Sequence, residues 1–68
     1  MTSQELQNLL TKKRKTLGYT HQDVVDSLGL GITRQYYSMI EKGERRPSVN
    51  LAKKLGEILG TNWTVFFE

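Results

Sequence analysis

No cysteine occurs among the 68 residues, so neither a disulfide nor a thiolate metal site can brace the chain, and no thiol nucleophile exists. Histidine occurs once, at His21, which excludes a two-histidine metal centre, and no acidic cluster has the spacing of a calcium loop. Proline also occurs once, at Pro47. No apolar run approaches the roughly 18 residues that would cross a membrane, and no signal-peptide core follows Met1, so the cytoplasm is the expected compartment. No segment alternates apolar and polar residues with period two, which argues against strands. Catalysis finds no footing. His21, Asp23 and Ser27 can be assembled into a triad on paper, but all three lie on one short helix with nothing to supply an oxyanion hole or a pocket. The glycines at 29, 31 and 43 match no phosphate-loop pattern. A binding module is expected rather than an enzyme, with no cofactor, metal or small-molecule ligand implied.

What remains is a small all-α domain spanning residues 1–68, without repeats, linkers or low-complexity segments. A chain this short buries only about 60% of its unfolded surface, so close helix packing must hold it together. Thr2 and Glu5 form a capping-box pattern that opens helix 1, with Leu6, Leu9, Leu10 and Leu17 as its apolar stripe. Lys12, Lys13 and Lys15 point outward, as a solvated face or towards nearby phosphates. Arg14 falls at the edge of the apolar face, either snorkelling over the core or needing an acidic partner. Gly18 stops helix 1. Thr20 with Asp23 opens helix 2, whose inner face is Val24, Val25 and Leu28, and Gly29 closes it. Ser48 caps helix 4 (Leu51, Ala52, Leu55, Ile58, Leu59), Gly60 ends it, and Asn62 caps a last short turn from Trp63 to Phe67. Gly56, inside helix 4, costs about 1 kcal/mol against alanine, which points to a neighbouring backbone passing close by.

The chain is organised around Thr33 to Glu44. Thr33 is a good N-cap and Gly43 a good stop. On a helical wheel Tyr36, Tyr37 and Ile40 share one side, and Arg34, Gln35, Ser38, Met39 and Lys42 the other. That outer side offers a guanidinium, a carboxamide, a hydroxyl, an apolar tip and an ammonium, the groups that read base edges and hold phosphates. Tyr36 can pack inside or place its hydroxyl on a phosphate. The net charge of +3 is mildly basic, and its position matters more than its size. Arg34, Lys42, Arg45 and Arg46 crowd this stretch, while Glu5, Asp23, Asp26, Glu57 and Glu68 lie outside it.

Residues 6–67 resemble the helix-turn-helix family of lambdoid phage repressors and Cro proteins, also called xenobiotic-response-element regulators. Arg14, Gly18-Tyr19-Thr20, Asp23-Val24, Leu28-Gly29 and Ile32 to Ser38 carry the likeness, with Ile40 to Ser48 the most specific part. The resemblance implies a compact five-helix, lambda-repressor-like fold in which helices 2 and 3 form the DNA-binding motif and the helix of residues 33–42 enters the major groove. It places Arg34, Gln35, Ser38 and Met39 at base-reading positions and His21, Thr33, Lys42, Arg45 and Arg46 near phosphates. It also pairs Arg14 with Glu41, which the wheel sets at the border of the core face. At His21 the family usually has glutamine, and a neutral helix-start residue is the alternative reading there.

Three departures from the pattern stand out. The turn between helices 2 and 3 carries two additional residues, Leu30-Gly31; Val25 replaces a customary alanine; and Met39 replaces a usually polar reader. The expectation is a sequence-specific, double-stranded DNA-binding transcriptional regulator, in particular a repressor, acting as a homodimer through Trp63, Val65 and Phe66. The same fold would serve an antitoxin or a restriction-modification controller. A protein-interaction module that has lost DNA binding is the reading from another class.

Overall fold

The computed structural model describes residues 1–68. It contains α1 (Ser3–Thr16), α2 (His21–Leu28), α3 (Arg34–Glu41), α4 (Val49–Leu59) and a closing 3₁₀ helix, Trp63–Phe67. Every start is fixed by a side chain that accepts an otherwise unpaired backbone N–H. Thr2 and Thr20 do so within full capping boxes, with Glu5 and Asp23 bonding back to the cap. Thr33, Ser48 and Asn62 each accept from a backbone amide of the first turn that follows.

The α-helices number four rather than the five expected. The fifth element has the anticipated residues but is a 3₁₀ helix. Five residues make little more than one helical turn, a length at which 3₁₀ bonding is frequent. A bond from the Val65 amide to the Asn62 carbonyl (3.2 Å) tightens the turn to three residues, so that Trp63 and Phe66 stand one above the other.

α4 packs against α1, α2 and the closing 3₁₀ helix, while α3 is held by α1 and α2. Leu10, Val24, Val25, Leu28, Tyr37, Ile40, Leu51, Ala52, Leu55, Leu59 and Phe66 form one continuous core. Each of its large apolar side chains contributes about 1.5–3 kcal/mol on burial. Two expectations are corrected here. Phe66 is only 5% exposed and belongs to this core, so it has no surface to offer a second copy. Leu17 is 46% exposed: α1 ends at Thr16, which makes Leu17 the C-cap and turns it out of the stripe by which Leu6 and Leu10 meet the core.

Gly56 answers to the close approach inferred for it. A Cβ there would lie 2.8 Å from the Thr61 carbonyl oxygen and 3.2 Å from the Trp63 backbone nitrogen. The absent side chain lets the chain fold back after α4 and lay its aromatic end on that helix. The α2–α3 connection takes up its two additional residues with a second left-handed glycine, Gly31 (φ 70°), following Gly29 (φ 64°). Leu30 is carried outward between them, and Ile32 packs back on the core before Thr33 caps α3.

Candidate nucleic-acid interface

α3 divides into two faces. Tyr37 and Ile40 are fully buried, and Tyr36 lies half-buried against the core, the packing alternative of its two readings. On the opposite face Arg34, Gln35, Met39 and Lys42 are exposed and Ser38 is half-buried. None of these five side chains makes a hydrogen bond or ion pair within the chain. Their donors and acceptors are therefore available to an external partner. The Thr33 hydroxyl oxygen accepts from the Tyr36 amide at 3.0 Å, which leaves its own O–H free to donate.

The exit from α3 sets the neighbouring cations. The Gly43 amide donates to the Ile40 carbonyl at 3.0 Å and the Glu44 amide to the Met39 carbonyl at 2.9 Å, the paired bonds of a Schellman stop. The Arg45 amide reaches the same Met39 oxygen at 3.3 Å, and Pro47 is buried just beyond. Backbone bonds thus hold Arg45 and Arg46 beside the end of α3, with both side chains exposed. The Arg46 guanidinium stands 5.8 Å from the Phe67 ring centroid, a cation–π contact that steadies it without satisfying its donors.

Beneath the outer face lies a buried polar knot. Glu41 is 2% exposed, and its Oε1 accepts from Thr11 Oγ1 at 2.7 Å and from Arg14 Nε at 3.2 Å. Arg14, 12% exposed, also donates from Nη1 to the Tyr19 carbonyl at 2.9 Å. One arginine thereby ties α1 to both the α1–α2 turn and α3. Thr11 is the member that the sequence reading missed. Its only signal is a position one turn before Arg14 on the same helical face, and its partner lies 30 residues away. His21 is turned inward: Nε2 lies 2.7 Å from Glu41 Oε2, and the ring stands edge-on to Tyr37 with centroids 5.6 Å apart. The imidazole N–H is not well aimed at that oxygen, however, and Glu41 Oε2 is left buried without a directed donor. The Tyr37 hydroxyl is the second buried polar atom without a partner. Burial pushes the Tyr37 phenol well above its ordinary pKa, and the Glu41 charge adds to that rise while Arg14 opposes it. At the surface, the Glu5 carboxyl is held below its usual range by its hydrogen bonds at the Thr2 cap, the backbone bond foremost.

In the closing 3₁₀ helix Trp63 and Val65 are half-buried against the core. The Lys53 ammonium stands 5.2 Å from the Trp63 ring centroid, and Phe67 meets Trp63 edge-on at 6.0 Å. This end is remote in sequence from α3 and shares no side chain with the polar knot.

Residues 10–66 match the helix-turn-helix family. An uncharacterised HTH-type transcriptional regulator, YqaF, of Bacillus subtilis strain 168 is 49% identical over 59 residues, 87% of this chain and 75% of that protein. An uncharacterised HTH-type transcriptional regulator of Methanothermobacter thermautotrophicus is 34% identical over 55 residues, 81% of this chain and 77% of its own. No solved structure matches the chain.

Proposed function

Because the chain belongs to the helix-turn-helix family, of the phage repressor and Cro type, we propose that it is a sequence-specific double-stranded DNA-binding transcriptional regulator. The observation that carries this reading is the outer face of α3, where Arg34, Gln35 and Met39 stand exposed with no bond inside the chain. In the proposed complex α3 enters the major groove. Arg34 forks onto guanine O6 and N7, Gln35 pairs with adenine N6 and N7, Ser38 reads a neighbouring edge, and Met39 lies on a thymine methyl. Thr33, Lys42, Arg45 and Arg46 hold the backbone phosphates on either side, and His21 approaches one from the start of α2. The protein represses by occupying its site.

The acting species is a homodimer whose two α3 helices, about 34 Å apart, read half-sites about 10 base pairs apart. Trp63 and Val65 are the residues of the original interface set that remain available for contact between copies.

Selection of bound sites from random duplex DNA, followed by the Arg34→Ala variant on the enriched site, tests the reading. A defined site should emerge, and Arg34→Ala should weaken it by about 1–3 kcal/mol while relaxing preference at one base position per half-site. An equal loss on every sequence would move Arg34 to a phosphate and leave base reading to Gln35, Ser38 and Met39. Failure to enrich any site, with a stoichiometric protein complex recovered instead, would replace DNA regulation by a protein-interaction role. Sedimentation with and without the selected duplex tests the dimer. A monomer that binds one half-site at full affinity, with no gain from the second, would overturn it.

A further inference from the structure

Between α1, the start of α2 and the second half of α3 lies an open cleft lined entirely by polar and charged side chains, among them Lys15, His21, Ser38 and Lys42, with Arg14 and Glu41 deeper in. Glu41 is one of the lining residues, and its Oε2 is buried without a directed donor. The charged groups around His21 are Arg14 and Lys15 from α1 and Glu41 and Lys42 from α3, and the neutral Tyr37 ring packs against its edge. Arg14 and Glu41 neutralise each other through the 3.2 Å contact. Two ammonium groups then remain at the rim of a cleft that holds a carboxylate oxygen inside. The rim attracts an anion, and that oxygen repels one unless something neutral or positive stands between them. His21, with a 34% exposed side chain and Nε2 on Oε2, stands there.

We propose that this cleft is a proton-coupled seat for one backbone phosphate of the DNA, held by Lys15, Lys42 and His21, and that His21 takes up a proton as the phosphate arrives. The proposal rests on the DNA-binding reading above and goes beyond it in assigning Lys15 a phosphate and His21 a proton. In neutral histidine one ring nitrogen carries the hydrogen and the other is an acceptor; in the imidazolium both donate. With Nε2 held 2.7 Å from Glu41 Oε2, a second proton at Nδ1 makes that nitrogen a donor. The same proton screens the phosphate from Glu41. An arriving phosphate adds negative charge beside the ring, so the bound complex favours the protonated form and binding is linked to pH. A glutamine at this position could donate to a phosphate but could not titrate.

The experiment measures the affinity of the full chain for a mixed-sequence duplex of about 20 base pairs at fixed salt, from about pH 5.5 to 8. Wild type, His21→Gln and Lys15→Ala are compared. Binding by wild type should tighten as pH falls, by at most about tenfold per pH unit per protomer for one proton. His21→Gln should bind with a nearly flat profile. Lys15→Ala should keep the pH profile and lose about 0.9 from the slope of log affinity against log salt. Calorimetry of wild type in buffers of different ionisation enthalpy reads the proton directly, should His21→Gln fold poorly; net uptake on binding is the expected result. A flat wild-type profile, the same pH slope in His21→Gln, or an unchanged salt slope in Lys15→Ala would overturn the seat while leaving DNA binding standing. No binding at any pH would overturn both.

Discussion

Glu41→Ala is the perturbation with the most specific consequence for stability. Three side chains from two helices converge on this one carboxylate: Thr11 and Arg14 from α1, and His21 from α2. Removing one partner of a buried ion pair costs about 3–5 kcal/mol, because the other charge is left uncompensated. Two features place the expected loss at the lower end. Arg14 is 12% exposed, so its guanidinium has some access to water, and its bond to the Tyr19 carbonyl survives the substitution. About 3 kcal/mol is therefore expected, a large part of the roughly 3–10 kcal/mol available to a domain of this size. The fold is then close to its limit and the midpoint of heat denaturation falls by more than about 10 °C. Urea titration followed by the fluorescence of Trp63, the single tryptophan, gives the loss directly. Glu41→Gln keeps an acceptor for Thr11 and Arg14 but no charge, and serves as the milder companion if the alanine variant does not fold. It should lose about 1–2 kcal/mol. A loss below about 1 kcal/mol for Glu41→Ala would refute the reasoning, since that is the value of an exposed pair.

Gly56→Ala should destabilise by about 1–3 kcal/mol through overpacking against the Thr61 carbonyl, despite a gain of about 1 kcal/mol in helix propensity; a more stable variant in the same urea assay would contradict the close approach. Tyr37→Phe should be neutral or stabilise by up to about 1 kcal/mol, because it removes a buried hydroxyl that has no partner. Since folding raises the Tyr37 pKa, its contribution is complete below the ordinary value of 10.0 and is lost as pH rises above it. Alkaline unfolding should accordingly be shallower in Tyr37→Phe, and an unchanged alkaline limb would remove Tyr37 as its cause. Replacing both Arg45 and Arg46 by alanine should weaken specific and random duplexes alike and flatten the salt dependence by about 0.9 per lost contact; a wild-type slope would show that neither arginine holds a phosphate.

The parts of this molecule that are legible in its sequence are those decided locally. Thr2, Thr20, Thr33, Ser48 and Asn62 mark where the helical elements start because a cap answers to amides within three residues. The two faces of α3 follow from its period alone, and Gly56 betrays a neighbour by being a poor helix former in a helical place. What escapes the sequence depends on distance or on the last turn. Thr11 is an ordinary half-exposed threonine until α3 arrives 30 residues later. Leu17 fits the apolar stripe of α1 by spacing and leaves it because the helix stops one residue earlier. Three closely spaced aromatics suggest excess apolar surface, but the backbone reversal past Gly56 carries Phe66 into the core and leaves Trp63 and Val65 at its margin. For His21, the family resemblance implies an outward contact to a phosphate. The carboxylate that draws the ring inward is contributed by another helix.

The exposed side of α3 has a further consequence. Its side chains contribute no hydrogen bond or ion pair to the folded chain, while Thr33, Tyr37, Ile40 and Glu41, interleaved among them, carry the cap, the packing and the ionic knot. What the helix says and what keeps it standing are thus written in alternating letters of one short word. Exchanging Arg34, Gln35 or Met39 for other polar or long side chains is a surface change, expected to move stability by no more than about 0.5 kcal/mol. Descendants of this chain can therefore drift to new targets one residue at a time, each step folded, without a rescuing change elsewhere. The same separation suits the scaffold to deliberate reprogramming, with libraries confined to the outward positions and Glu41 left untouched.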